Sequence, residues 1–237
     1  MRNIYDPSFV KDLFNNMSAS YEKMNTITSF GFSQRWRKAM VSTIPIKKGD
    51  TVVDLLTGMG ECWNGILQRV ENNGRLIALD FSKEMIIMAK KKSTTFPNHS
   101  IQVLEEDVFS NSIPNGIADC ITSGFGLKTF NEEQLHRLAL ETKRILKNGG
   151  RFSFIDVSIP DNKILRIFYM LYLKNVIPLL GRLFLGSPET YRMLGIYTEQ
   201  FQNVYQAVDI FRNAGLEVKS KKYFFGCASG FIGRKKP

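Results

Sequence analysis

Gly58-Met59-Gly60 follows a β-branched and apolar run over residues 51–56, in which Asp54 stands where a strand would end. Glycines there let the backbone turn tightly and approach a ligand closely. Residues 61–67 resume with helical apolar spacing, so the strand, turn and helix start of a nucleotide site stand in order. Residues 76–80 read as a second strand ending in Asp80. That acid lies roughly 20 residues after the glycines, the spacing at which a carboxylate reaches a ribose diol. Asp107 follows a third apolar run over residues 101–104, so Asp54, Asp80 and Asp107 would share the carboxyl edge of a parallel sheet, where doubly wound folds bind ligands. The glycine pair alone also fits a plain structural turn, and Asp80 is what argues against that. A dinucleotide fingerprint needs a third glycine, but this chain has Trp63 in that place. The absence favours a nucleoside such as S-adenosylmethionine over a dinucleotide.

The elements that would position these groups alternate. Ser82 can cap a helix over residues 83–92, and residues 120–126 read as a fourth strand and its exit. A helix over 132–146 closes on Lys147-Asn148-Gly149-Gly150, and residues 151–157 form a fifth strand. Such alternation predicts an α/β fold, a doubly wound, mostly parallel sheet with helices on both faces, within a single domain over residues 1–237. Residues 1–44 carry Phe14, Met17, Tyr21, Met24 and Ile27 at helical spacing, followed by Arg35-Trp36-Arg37. This segment fits either helix packing or a lid over the nucleoside pocket. Residues 160–200 contain the most apolar part of the chain, 163–186, with a bend expected at Pro178. Arg166, Lys174 and Arg182 interrupt it, so the sequence predicts no membrane span. It reads as helix packing or as a greasy cap whose cations rest on an anionic leaflet.

A chain of 237 residues, 43% hydrophobic, suffices for one such domain. Three scattered cysteines, with no Cys-x-x-Cys and no nearby histidine, suggest neither a metal site nor a disulfide framework. His99 in a polar loop and His136 on a charged helix are poor catalytic candidates. The N-terminus lacks an apolar targeting core, which fits a cytoplasmic protein. A net charge of +10 suits either an anionic partner or a plain basic surface. No aromatic-interleaved basic motif supports nucleic-acid binding.

Beyond these separate signals, the chain carries YEKMN, SFG and RWR near its N-terminus, then DLLTGMGE, ALDFSKEM, ITSGFGLKTF, RILKNGGRFSFIDVSIP and a C-terminal AGLEVKSKKYFFGCASGFIGRKK. Over nearly its whole length it resembles the class I S-adenosylmethionine-dependent methyltransferases, and within them the UbiE-type C-methyltransferases of ubiquinone and menaquinone biosynthesis. The resemblance implies S-adenosylmethionine as cofactor and a lipid quinone as substrate, taken up at the inner face of a membrane. It implies that Asp80 and the adjoining Phe81 hold the ribose end, that Asp107 and Val108 contact adenine, and that Gly58, Met59 and Gly60 face the amino acid part. Asp54 and Ser123 complete the expected cofactor set. Lys128, Tyr21, Asp156 and Tyr191 are implied around the acceptor ring, where a base or cation would favour the nucleophilic phenolate.

Three departures stand out. The family's G-T-G-D is Gly58-Met59-Gly60-Glu61 here, its F-G-L-R-N is Phe125-Gly126-Leu127-Lys128-Thr129, and its Y-L-x-E-S-I survives only as residues 191–196. They leave three functions to separate: C-methylation of a quinone ring, the related exchange of a ring methoxy for an amino group that forms rhodoquinone, and a non-enzymatic binding module.

Overall fold

The structure, a computed structural model, describes residues 3–18, 21–184 and 188–237. Strands β1 (Thr51–Leu55), β2 (Arg75–Asp80), β3 (Ser100–Glu105), β4 (Ala118–Gly124), β5 (Leu146–Val157), β6 (Leu216–Tyr223) and β7 (Ala228–Lys235) form one sheet, in the order β3-β2-β1-β4-β5-β7-β6. The first five run parallel and β7 runs antiparallel between β5 and β6. The strand order reverses between β1 and β4, and a ligand crevice opens at that switch point.

The central strands read as continuous apolar runs because helices cover both of their faces. On one face α6 (Glu132–Ile145) and α10 (Tyr205–Asn213) bury Leu138, Phe152, Phe154, Phe211 and Phe231. On the other, α3 (Phe32–Val41), α4 (Trp63–Val70) and α5 (Lys83–Ser93) bury Met40, Trp63, Ile66 and Ala89. Exposed Lys219, Lys221 and Lys222 blunt the edge strand β6 against pairing with another chain. Ser82 caps α5 as expected, its side chain accepting from the Met85 amide.

One boundary differs from the sequence expectation. β5 begins at Leu146 rather than at Arg151, because Leu146 already pairs with Ala118 before a register shift between Ala118 and Cys120. Gly149, at φ 76°, makes the local turn inside that long strand instead of ending a helix.

A third apolar cluster lies away from the sheet. There α1 (Pro7–Met17) and α2 (Tyr21–Thr28) meet α7 (Lys163–Leu171), α8 (Ile177–Phe184) and α9 (Pro188–Phe201) through Met17, Met24, Leu173, Ile177 and Tyr191. Between α7 and α8 the chain makes one π-helical turn, Tyr172–Val176, just before Pro178, so the expected bend is absorbed without a break. The helix thereby runs unbroken over Lys163–Arg182, and by length and composition it could cross a membrane. This corrects the expectation that its cations cut the apolar run too short. Residues 185–187, within the expected cap and overlapping the end of the 163–186 stretch, lie outside the described residues.

Candidate active site

The glycine turn is built around Trp63. A Cβ on Gly60, which sits at φ 83°, would lie 2.6 Å from the indole ring. The indole Nε1 donates to Thr57 Oγ1 at 2.8 Å, and Thr57 Oγ1 in turn donates to Asp54 Oδ2 at 2.5 Å. Thr122 Oγ1 donates to the other oxygen of Asp54 at 2.6 Å. The residue in the third glycine's place thus anchors the turn to β1 and β4. Burial pushes the Asp54 carboxyl up to about 6, against the two hydroxyl donors that pull it down. Thr57→Val should lower stability by about 2–6 kcal/mol, since an unpaired buried group costs about 1–3 kcal/mol and two would be stranded. A chemical denaturation midpoint close to that of the unaltered protein would contradict this.

Four expected cofactor residues stand behind the cleft lining. Asp54 is buried with both oxygens committed and does not line the cleft. Met59 turns its side chain into the core, and Gly60 serves Trp63. The Ser123 hydroxyl is fully buried with no hydrogen-bond partner among the described residues, away from the cleft wall. Gly58, Asp80, Phe81, Asp107 and Val108 do line one cleft together.

Asp80 is only 7% exposed, less open than a strand-end acid suggests. Its Oδ2 accepts from the Gly58 amide at 2.9 Å and its Oδ1 from the Ser82 amide at 3.0 Å, which ties the turn to the start of α5. Burial raises its carboxyl to about 6, with those amides opposing the shift. Helix α1 closes the cleft from above with Pro7, Val10 and Phe14. It is held by Asn15 Oδ1, which accepts from Ser82 Oγ at 2.8 Å and from the Glu84 amide, while the Tyr5 carbonyl accepts from Gln134.

A charged pair that sequence reasoning did not join sits at the other end of this cleft. Arg37 Nη2 lies 3.5 Å from Glu61 Oε1, both side chains are buried, and the guanidinium stacks 4.6 Å from the centre of the Phe125 ring. Glu61 Oε2 also accepts from the Met59 amide at 3.1 Å. The only sequence signal for this pair was the RWR motif, because its partners stand 24 positions apart.

A second, larger cavity of about 440 Å³ adjoins the first, and Phe14, Tyr21, Arg37, Phe125 and Thr129 line both. Its walls are rich in aromatic rings, among them Phe30, Trp36, Phe168, Tyr169, Tyr172 and Phe224. Lys128 also lines it, 7% exposed, with Nζ donating to the Phe125 carbonyl at 2.6 Å and to Asp156 Oδ1 at 3.0 Å. Phe125 holds a left-handed backbone at φ 71°, so Lys128 braces a strained residue that partitions the two cavities.

Asp156 is fully buried and reaches neither cavity. It accepts from the Lys128 amide at 2.9 Å, from Lys128 Nζ and from the Val157 amide, so it positions Lys128 rather than meeting a ligand. Tyr21 lines both cavities, but burial and then Glu61 push its phenol up to about 12, which makes it a proton donor at neutral pH rather than a base. Tyr191 lines the second cavity with its ring against Gly181, where a Cβ would come within 2.6 Å. Among the described residues no cluster of three metal-ligating side chains occurs, and all three cysteines are unpaired.

The sheet order, the glycine turn at the switch point and the acids beyond β2 and β3 define a class I S-adenosylmethionine-dependent methyltransferase. Among solved structures, a SAM-dependent methyltransferase from Aquifex aeolicus shares the fold, with a TM-score of 0.59 and 19% identity over 83% of this chain and 88% of that one. The family model of the ubiE/COQ5 methyltransferases matches residues 2–235. The chain belongs to the ubiE/COQ5 methyltransferase family, and it is a transferase that uses S-adenosylmethionine. It is similar to the demethylmenaquinone methyltransferase of Lactococcus lactis, 31% identical over 95% of this chain and 89% of that protein. The enzyme of the same name from Bacillus cereus is 30% identical over 95% of each. Nothing in these relatives supports the amino-for-methoxy exchange.

Proposed function

We propose that this protein moves the methyl group of S-adenosylmethionine onto a ring carbon of a prenylated quinol, of the demethylmenaquinol type. The observation that carries the reading is the pair of adjoining cavities: one is lined by Gly58, Asp80, Asp107, Glu61 and Arg37, the other is rich in aromatic and apolar side chains, and they share the wall formed by Tyr21, Arg37 and Phe125.

The first cleft fits the cofactor by its own chemistry. Asp80 accepts from the ribose hydroxyls beside Gly58 and Phe81, while Asp107 and Val108 border adenine. Glu61 and Arg37 offer opposite charges to the ammonium and carboxylate of the amino acid end. That role suits the longer side chain of Glu61, which reaches both Arg37 and the Met59 amide. Bound there, S-adenosylmethionine supplies an electrophilic methyl group.

The aromatic cavity takes the ring and the start of the prenyl tail. A quinol carbon becomes nucleophilic when the neighbouring hydroxyl loses its proton, so stabilising the ring oxygen is the protein's main task. Lys128 has one N–H without a partner among the described residues, and that N–H suits the ring oxygen. Asp156 aims the ammonium through its ion pair, the Tyr21 phenol donates from the shared wall, and Tyr191 shapes the far side. S-adenosylmethionine held in the first cleft would supply the methyl group: the ring carbon–methyl bond would form as the sulfur–methyl bond breaks, S-adenosylhomocysteine would leave, and the ring proton would pass to solvent. Residues 1–44 act as a lid on the cofactor, and those of residues 160–200 that line the aromatic cavity act as a cap on the acceptor. The protein works on the cytoplasmic side in peripheral contact with an anionic membrane.

Incubating the protein with S-adenosylmethionine and a short-tailed demethylated naphthoquinol under reducing conditions should add one ring methyl, read by mass spectrometry. Exchange of a ring substituent without methyl gain, or no product with a folded protein, would overturn the reading.

A further inference from the structure

Three segments far apart in sequence bring exposed apolar side chains to the rim of the aromatic cavity. Helix α7 presents Ile164, Ile167, Phe168 and Leu171 outward on one stripe, and none of its own residues is buried. The turn before α3 presents Phe30, and the turn between β6 and β7 presents Phe224 and Phe225; Phe30 and Phe225 are each 80% exposed. These segments touch: the Phe30 ring stacks on Tyr172 at 6.3 Å, Phe224 lies 4.4 Å from Phe32, and Phe225 lies 5.5 Å from Phe224. Phe30, Phe168 and Phe224 also line the cavity, so they mark its mouth.

Burial does not explain this arrangement. Phe30, Phe224 and Phe225 hold positive φ values of 50°, 39° and 54°, which non-glycine residues rarely adopt. Backbone strain of this kind persists where the surroundings impose it, and it clusters at ligand clamps. Here it thrusts three phenyl rings into solvent around one opening. An exposed apolar area of this extent marks an interaction surface.

We propose that this rim inserts into the headgroup boundary of an anionic bilayer, so that the cavity opens directly onto the lipid and takes its acceptor from there. The proposal rests on the quinol reading and adds which face docks and how the acceptor arrives. Charge selects a membrane as the occupant. Residues Lys163–Arg182 carry four cations and no acid, with exposed Lys163 and Arg166 flanking the stripe and Arg35 standing near Phe32. The apolar stripe rather than the cations supplies the main attraction, because Lys174 is already paired with Glu199 at 2.6 Å and Arg166 Nε donates to the Pro160 carbonyl. Binding should therefore survive salt better than a purely electrostatic contact, whose reach shrinks to about 3 Å at 1 M ionic strength.

The test uses a variant altered only outside the cavity lining, Ile164→Gln, Ile167→Gln, Leu171→Gln and Phe225→Asn together. Asparagine is chosen because it tolerates the left-handed backbone. Co-sedimentation with vesicles of phosphatidylcholine and phosphatidylglycerol should fall at least tenfold relative to the unaltered protein, which should keep most of its binding in high salt. Methylation of a short-tailed acceptor in solution should be unchanged, while turnover of a long-tailed acceptor embedded in those vesicles should fall at least tenfold. Equal sedimentation of the two proteins would overturn the proposal. So would finding that the unaltered protein is a dimer and the variant a monomer with no difference on vesicles, which would assign the face to a second copy of the chain. If the unaltered protein methylates neither acceptor yet binds vesicles through this face, the quinol reading fails and the docking surface stands.

Discussion

Asp80→Ala is expected to weaken S-adenosylmethionine binding by about 10²–10⁴-fold, because two hydrogen bonds to a charged acceptor are lost at about 1.5–3 kcal/mol each. The carboxylate also braces the site, accepting from the Gly58 and Ser82 amides. Alanine would therefore loosen the glycine turn as well as remove the ribose contact. Asp80→Asn separates the two roles, since its amide oxygen can still accept while the charge is gone. Isothermal calorimetry should rank the unaltered protein first, Asn second and Ala last. The affinity of the unaltered protein should also fall as pH drops through about 6, where burial places this carboxyl, because the ribose hydroxyls donate to its ionised form. Stability without cofactor should respond in the opposite sense. A carboxyl raised from 3.8 to about 6 contributes stability that is full below the lower value and lost as pH rises through the higher one. The shift corresponds to about 3 kcal/mol for this group, at 1.36 kcal/mol per unit. Asp80→Asn should flatten that part of the profile between those two values, as measured by denaturant unfolding of the cofactor-free protein. Cofactor affinity equal to the unaltered protein's in a folded Asp80→Ala variant would remove Asp80 from the site.

Much of this site could be read in the chain because its signals are local. The β-branched run before Gly58, the acid closing β2 and the Ser82 cap each depend on neighbours within a few positions, and the structure keeps all three. Asp54 could not be assigned in the same way. β1 is buried on both faces, so alternation does not reveal which side of the sheet its carboxylate meets, and Thr122 and Thr57 claim both of its oxygens. Met59, between two glycines, can turn either way, and here its side chain is buried. The Arg37–Glu61 pair depends on how α3 folds back over the turn, which no spacing encodes. On α7 the apolar character was legible but the direction its side chains face was not. The same helix has a second apolar side, where Tyr169 and Met170 pack against the third cluster, leaving Ile164, Ile167, Phe168 and Leu171 outside.

Lys128 carries the other large expected effect. If its ammonium stabilises the developing oxyanion of the ring, Lys128→Met should lower kcat by about 10²–10³-fold, the range seen on losing one oxyanion donor, with little change in KM for S-adenosylmethionine. The same substitution would leave Asp156 charged, fully buried and short of its cation, which costs about 3–5 kcal/mol of stability. Lost activity could then reflect a damaged fold, and a second variant distinguishes the cases. Lys128→Met combined with Asp156→Asn removes the stranded charge, so it should recover most of the stability while remaining as slow as the single variant. Lys128→Arg should keep activity within about tenfold, since the guanidinium stays charged and can hold Asp156 through two parallel hydrogen bonds. Single-turnover rates with S-adenosylmethionine and a short-tailed quinol, set beside denaturant midpoints for all three variants, provide the measurement. Recovery of turnover together with stability in the double variant would mean that Lys128 serves only to neutralise Asp156 and to brace Phe125, and the oxyanion would then need another donor from the shared wall.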